Sequence, residues 1–122
     1  MTTYRAPLRD IQFLLRDVFH AQELFAGMPD TAEVTDDLIT AILQEAGKIA
    51  EGLLAPINQS GDREGCHYDD GVVTTAAGFK AAFKAYAEGG WVGLTGDTHY
   101  GGQGMPKMLS AVIEEMAFAA NS

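Results

Sequence analysis

Apolar residues recur at helical spacing in four separate segments of the chain, each bounded by Gly, Pro, Asp or Thr. Residues 8–25 form the first. Ile11, Leu15, Val18 and Phe25 fall on one stripe with Leu14 beside it, while Asp10, Arg16, Asp17 and Glu23 take other positions. Pro7 stands just ahead, where its fixed φ suits a helix start, and Gly27, Met28 and Pro29 stop the pattern. The second segment covers residues 36–55. Thr35 is placed to cap it, and Asp36 and Asp37 suit the positive end of the helix dipole. Leu38, Ile42, Ile49 and Leu53 make one row, and Ile39, Leu43, Ala46, Ala50 and Leu54 make the next. Two adjacent apolar rows predict contact with more than one neighbour. Pro56 is expected to kink or end this helix.

Residues 58–74 are polar and have no regular period. Gly61, Gly65 and the Asp69-Asp70-Gly71 turn break it up, and Val72 and Val73 fit one very short strand. A third helix is predicted over residues 76–88, capped by Thr75 or Thr74. Phe79, Phe83 and Tyr86 lie at i, i+4 and i+7, with Lys80, Lys84 and Glu88 as a solvated row. Gly89 and Gly90 end it. Trp91, Val92 and Leu94 then lead into a glycine-rich loop, residues 96–104.

The fourth helix starts at Pro106 and is apolar on nearly every side. Met108, Leu109, Val112, Ile113, Met116, Ala117, Phe118, Ala119 and Ala120 outweigh Lys107, Ser110, Glu114 and Glu115. Such a helix needs cover on most of its circumference. This predicts that further chain, or another subunit, packs here. Taken together the pattern predicts an all-α fold of about four helices joined by Gly/Pro-rich loops.

Composition narrows the possible chemistry. The 122 residues are 47% hydrophobic, enough for one folded domain. The net charge of −9, with only eight Lys and Arg, opposes polyanions, so nucleic acid is a poor partner. It also argues against this segment holding the phosphates of a CoA. No run approaches the roughly 18 apolar residues of a membrane span, and MTTYRAPLRD has no signal-peptide core. The cytoplasm is the expected location. A single cysteine, Cys66, excludes an internal disulfide.

Several groups suggest chemistry and fall short of it. Cys66-His67 lies near Asp62, Glu64, Asp69 and Asp70, but the spacing matches neither a zinc nor a calcium pattern, so no metal is expected. Nothing in the sequence brings Cys66 to a histidine base. Gly101-Gly102-Gln103-Gly104 lacks the strand and acid of a dinucleotide fingerprint and the adjacent Lys of a Walker loop; it reads as a tight bend. Glu114 and Glu115 are adjacent on a helix and point about 100° apart, so they do not face each other as an acid/base pair. Met105, Met108 and Met116 read as core filling, and Tyr86 and Trp91 as packing anchors.

Resemblance adds the chemistry that the patterns lack. The stretch WVGLTGDTHYGGQGMPKMLSAVIEEMAFAAN resembles the acyl-CoA dehydrogenase family. Tyr100, Gly101, Gly102 and Gly104 match its aromatic-Gly-Gly-x-Gly loop, and Glu114, Glu115, Met116 and Ala117 match the next helix. His99 stands where an acid is usual. YRAPLRDIQFLL is similar to the amino-terminal extension of one subgroup, through Tyr4, Ala6, Pro7, Asp10 and Phe13. LAPINQSGDREGCHYDDGVVTTAAGFKAAFKAYAEGGW matches through Leu54, Ala55, Pro56, Asp62, Gly65, Cys66, Gly71, Val73, Thr74, Gly78 and Phe79. That subgroup includes methylthiopropanoyl-CoA dehydrogenases and related broad- or long-chain enzymes.

The resemblance implies residues 1–34 as extension helix and linker, and residues 35–122 as the family's amino-terminal helical domain, cut at its carboxy-terminal end. It implies a whole protein that is an FAD-dependent oxidoreductase, converting an acyl-CoA to the trans-2-enoyl-CoA in fatty acid metabolism. Electrons would pass to an electron-transfer flavoprotein, and the enzyme would be a homo-oligomer. No catalytic or FAD-binding residue of the family falls within these 122 residues, so this piece alone is expected to be inactive and not to bind FAD. Phe118 and Asn121 are the residues here that the resemblance places at the acyl side of the pocket. The alternative is a free-standing helical interaction module whose fourth helix binds a partner helix.

Overall fold

The computed structural model describes residues 3–122; the first two residues of the extension expected at 1–34 lie outside the described residues. The expected helix over residues 8–25 is divided. α1 (Leu8–Phe13) passes into a π turn (Leu14–Val18), and α2 (Ala21–Ala26) comes next. His20 between them is left-handed, at φ 49° and ψ 46°. The Phe19 N–H donates to the Leu14 carbonyl five residues back, at 2.9 Å. That wider turn changes the angular position of the residues at its end, so Val18 leaves the predicted stripe and is 46% exposed. Ile11, Leu15, Ala21 and Phe25 remain buried.

α3 (Asp36–Ile49) starts where the pattern places it. The Thr35 hydroxyl accepts the Leu38 N–H at 3.2 Å. Of its two apolar rows, Ile39, Leu43, Ala46 and Ala50 are buried, whereas Leu38 at the head of the other row is exposed. The predicted interruption near Pro56 occurs as a change of helical register. A π turn (Ala50–Leu54) gives way to a 3-10 turn (Ala55–Ile57), and α4 (Asn58–Glu64) continues the course. Proline lacks an N–H and cannot close an ordinary α-turn. α4 itself corrects the reading that residues 58–64 have no regular period.

β1 (His67–Asp69) and β2 (Val72–Thr74) form an exposed antiparallel hairpin with Asp69 opposite Val72. The short strand expected at Val72–Val73 therefore has a partner. Asp70 and Gly71 both take positive φ, the two-residue turn that matches strand twist. α5 (Phe79–Glu88) begins three residues later than predicted, and neither Thr74 nor Thr75 caps it; Gly78, at φ 88°, takes the cap position. The Glu64 carboxylate accepts the Ala77 N–H at 3.1 Å instead, holding residues 76–78 in a turn. Gly89 and Gly90 end α5 as expected.

The glycine-rich stretch is the predicted tight bend. It doubles back on residues 93–97, with Gln103 N–H to Gly93 O and Met105 N–H to Leu94 O both at 2.9 Å. Gly102 lies so close to the Gly96 backbone that a Cβ there would overlap it. α6 (Lys107–Ala120) then packs on α3 and on the π turn after it. Leu109, Ile113, Met116 and Ala120 form its buried stripe, and the core they share with α1, α2 and α3 takes in Val34 and Leu94 from the connecting segments. The fold is all-α, with the hairpin as its appendage. Among the described residues, no helix is long and apolar enough to cross a membrane.

Candidate functional site

The residues on α6 that the buried stripe leaves out define the site. Phe118 is two positions from both Met116 and Ala120, about 200° around the helix from each. It therefore points away from the core and is 68% exposed. Ala117 and Glu114 lie at the flank of the stripe, and Asn121 comes after the helix in extended conformation at φ −156°. These four residues form one wall of an apolar groove of about 300 Å³.

α5 forms the second wall. Its i, i+4, i+7 row of Phe79, Phe83 and Tyr86 faces this groove, with Ala82 between them. Phe83 is 67% exposed, so two phenyl rings from neighbouring helices stand at the surface beside one groove. The solvated row falls elsewhere on the helix, with Lys84 Nζ 3.7 Å from Glu88 Oε1. Leu54 and Ile57, from the π and 3-10 turns, complete the lining.

Three polar side chains line the groove: Tyr86, Glu114 and Asn121. Burial pushes the Tyr86 phenol above its ordinary range, and the Glu114 carboxylate pushes it further the same way. Tyr86 is also the predicted anchor, its ring 6.5 Å from that of Trp91. The Asn121 amide donates to the Leu54 carbonyl at 2.9 Å and ties the end of α6 to the π turn. Glu115, about 100° further round the helix, does not line the groove; its charge instead raises the Tyr4 phenol.

Phe118 and Asn121, the two positions singled out in the sequence, thus share one groove. Sequence reasoning missed its remaining members. The i, i+4, i+7 row on α5 was the available signal, but it reads equally well as core packing. Cys66 is exposed at the foot of the hairpin, and among the described residues no three His, Cys, Asp or Glu side chains converge. A second hollow of about 320 Å³ beside Arg16 and His20 has several charged and polar side chains in its lining; there Arg16 Nη2 pairs with Asp36 Oδ2 at 2.7 Å. The groove therefore suits an uncharged hydrocarbon. It does not suit FAD: its one charge is the Glu114 carboxylate, which repels a pyrophosphate.

No family model matches the chain. Two curated proteins do, over nearly its whole length. The chain is 31% identical over 119 residues to the 3-methylmercaptopropionyl-CoA dehydrogenase of Ruegeria pomeroyi, covering 98% of the chain. It is 30% identical over 123 residues to the broad-specificity linear acyl-CoA dehydrogenase FadE5 of Mycobacterium tuberculosis, covering 99%. The chain belongs to the acyl-CoA dehydrogenase family. It spans about a fifth of the length of these relatives, 20% of each. The all-α architecture is that expected of an acyl-CoA dehydrogenase amino-terminal domain.

Proposed function

We propose that this chain forms one wall of the acyl pocket in an FAD-dependent acyl-CoA dehydrogenase, one that converts an acyl-CoA thioester to its trans-2-enoyl form. The observation that carries this reading is the apolar groove between α5 and α6, in a chain that over nearly its own whole length matches a part of two acyl-CoA dehydrogenases. A hydrocarbon chain needs apolar walls and the exclusion of water, and Phe79, Phe83, Ala117 and Phe118 offer both. Asn121 fixes the wall's position through Leu54.

FAD, bound by the whole protein, would take up the β-hydride. The groove brings together one carboxylate, one phenol and one amide, with no nucleophile–base pair. Its share of the work is to bind and orient the substrate. The base that removes the α-proton, the flavin site and the docking of an electron-transfer flavoprotein are assigned to other parts of a homo-oligomeric enzyme.

The test is steady-state dehydrogenation of straight-chain acyl-CoA thioesters of increasing length by the whole protein that carries this chain. Phe118→Ala and Phe118→Trp are expected to shift the preferred length in opposite directions. One methylene of pocket depth changes kcat/KM by about tenfold or more. An identical length profile for all three proteins rejects the pocket assignment. Stoichiometric FAD binding by residues 1–122 alone would reject the placement of the flavin site elsewhere.

A further inference from the structure

The π turn Ala50–Leu54 is held at both ends, by two parts of the chain that are far apart in sequence. At one end Glu51 receives the amino-terminal arm. Its Oε1 accepts the Ala6 N–H at 2.8 Å, and its Oε2 lies 3.6 Å from Arg5 Nη1. The arm lies close along α3 because Gly47 has no side chain; a Cβ there would press on Ala6 and Leu8. Tyr4 packs against the core beside Glu51 and Glu115, its hydroxyl buried and without a hydrogen-bond partner. At the other end the Leu54 carbonyl receives the Asn121 amide of the groove.

A π turn carries one residue more than an α-turn, and the ordinary alternative for such a segment is α register. The two registers are discrete, which is what a coupling element requires. In π register the Ala55 N–H reaches the Ala50 carbonyl, Glu51 meets the arm and Leu54 meets Asn121. A shift to α register would turn Glu51 and Leu54 relative to the arm and to Asn121.

We propose that the π turn Ala50–Leu54 is a conformational clamp that couples docking of the amino-terminal arm, residues 3–7, to the closed position of the groove wall at Asn121. Arm and wall stabilise one register, so each stabilises the other, and the coupling is reciprocal. A cleft of about 480 Å³ beside the arm, lined by Glu51, Ala55 and Pro56 on one side and Ala119 and Ala120 on the other, gives the end of α6 room to move when the arm leaves. The clamp does not depend on what the groove holds.

Amide hydrogen exchange on the whole protein that carries this chain, read at the residues named, tests it. Glu51→Ala is expected to speed exchange of the backbone N–H groups of Ala6, Ala55 and Asn121 by about five- to tenfold, the scale of one lost part-buried hydrogen bond. Glu51→Gln keeps an acceptor for Ala6 and stays near native. Asn121→Ala, at the far end, is expected to speed Ala6 in return. The Leu43 amide, deep in α3, stays protected throughout. Faster Ala6 with unchanged Ala55 and Asn121 in Glu51→Ala overturns the proposal, as does an unchanged Ala6 in Asn121→Ala. Global melting of Glu51→Ala overturns it too, because a clamp must open separately from the core.

Discussion

The ring of Phe79 occupies the space that a side chain at Gly61 would fill. This contact, together with the Glu64–Ala77 hydrogen bond, holds α4 against the start of α5, and Phe79 in turn lines the groove. Gly61→Ala gains helix propensity of about 1 kcal/mol but must push the ring aside, an overpacking cost of about 1–3 kcal/mol. The expected net effect on a urea melt is a loss of about 1 kcal/mol. A crystal structure of the variant should show Phe79 turned into the groove and the cavity smaller than about 300 Å³. An unmoved ring would mean that α4 yields instead.

Asn121→Ala removes the one side-chain hydrogen bond between the end of α6 and the π turn. The expected loss is about 1 kcal/mol at the urea midpoint. Asn121→Asp keeps the size but removes the donor, and should lose at least as much. Equal stability of all three proteins would show that the bond contributes nothing net.

Two phenols should titrate late. Burial raises Tyr4, helped by Glu51 and Glu115, and burial raises Tyr86, helped by Glu114. A phenol raised in the folded state keeps its proton while the unfolded chain ionises near pH 10. Its stabilising effect is complete below that pH and is lost as pH rises through the folded-state value. Absorbance titration should show a tyrosinate component above about pH 10 that shrinks in Tyr4→Phe and again in Tyr86→Phe. Thermal stability of the native chain should fall over the same alkaline range.

The caps separate a residue that works from two that only look suitable. Thr35→Ala should cost about 1 kcal/mol, because its hydroxyl holds the Leu38 N–H. Thr74→Ala and Thr75→Ala should lie within about 0.5 kcal/mol of native, since neither caps α5. Glu64→Ala should cost more than either, because its carboxylate holds the Ala77 N–H. Chemical denaturation of the four variants ranks them directly.

Helical rows on α3 and α6 are legible in the sequence because a run of apolar residues at one period has one cheap way to be buried. The acidic first turn and Thr35 mark a true start for an equally local reason. α4 is hidden because its Gly61 looks like a breaker; only the distant Phe79 makes a missing side chain useful there. The break at His20 is hidden as well, since π and α register share the same residues until the turn widens. Val18 is misplaced as a consequence. Phe118 and Asn121 stand out by family resemblance, not by pattern. Phe83 falls in a row that reads as core, yet its ring stands in the open because no described element lies over α5 there.

The hairpin has a practical consequence through its neighbour Cys66. It is the sole thiol of the chain and it is open to reagents. It also borders a hollow of about 200 Å³ whose far side is formed by Phe79, Asn121 and Ser122. A fluorescent or spin label attached there would sit off the packed interior yet beside the tail of the last helix, and would report its displacement without a second engineered position.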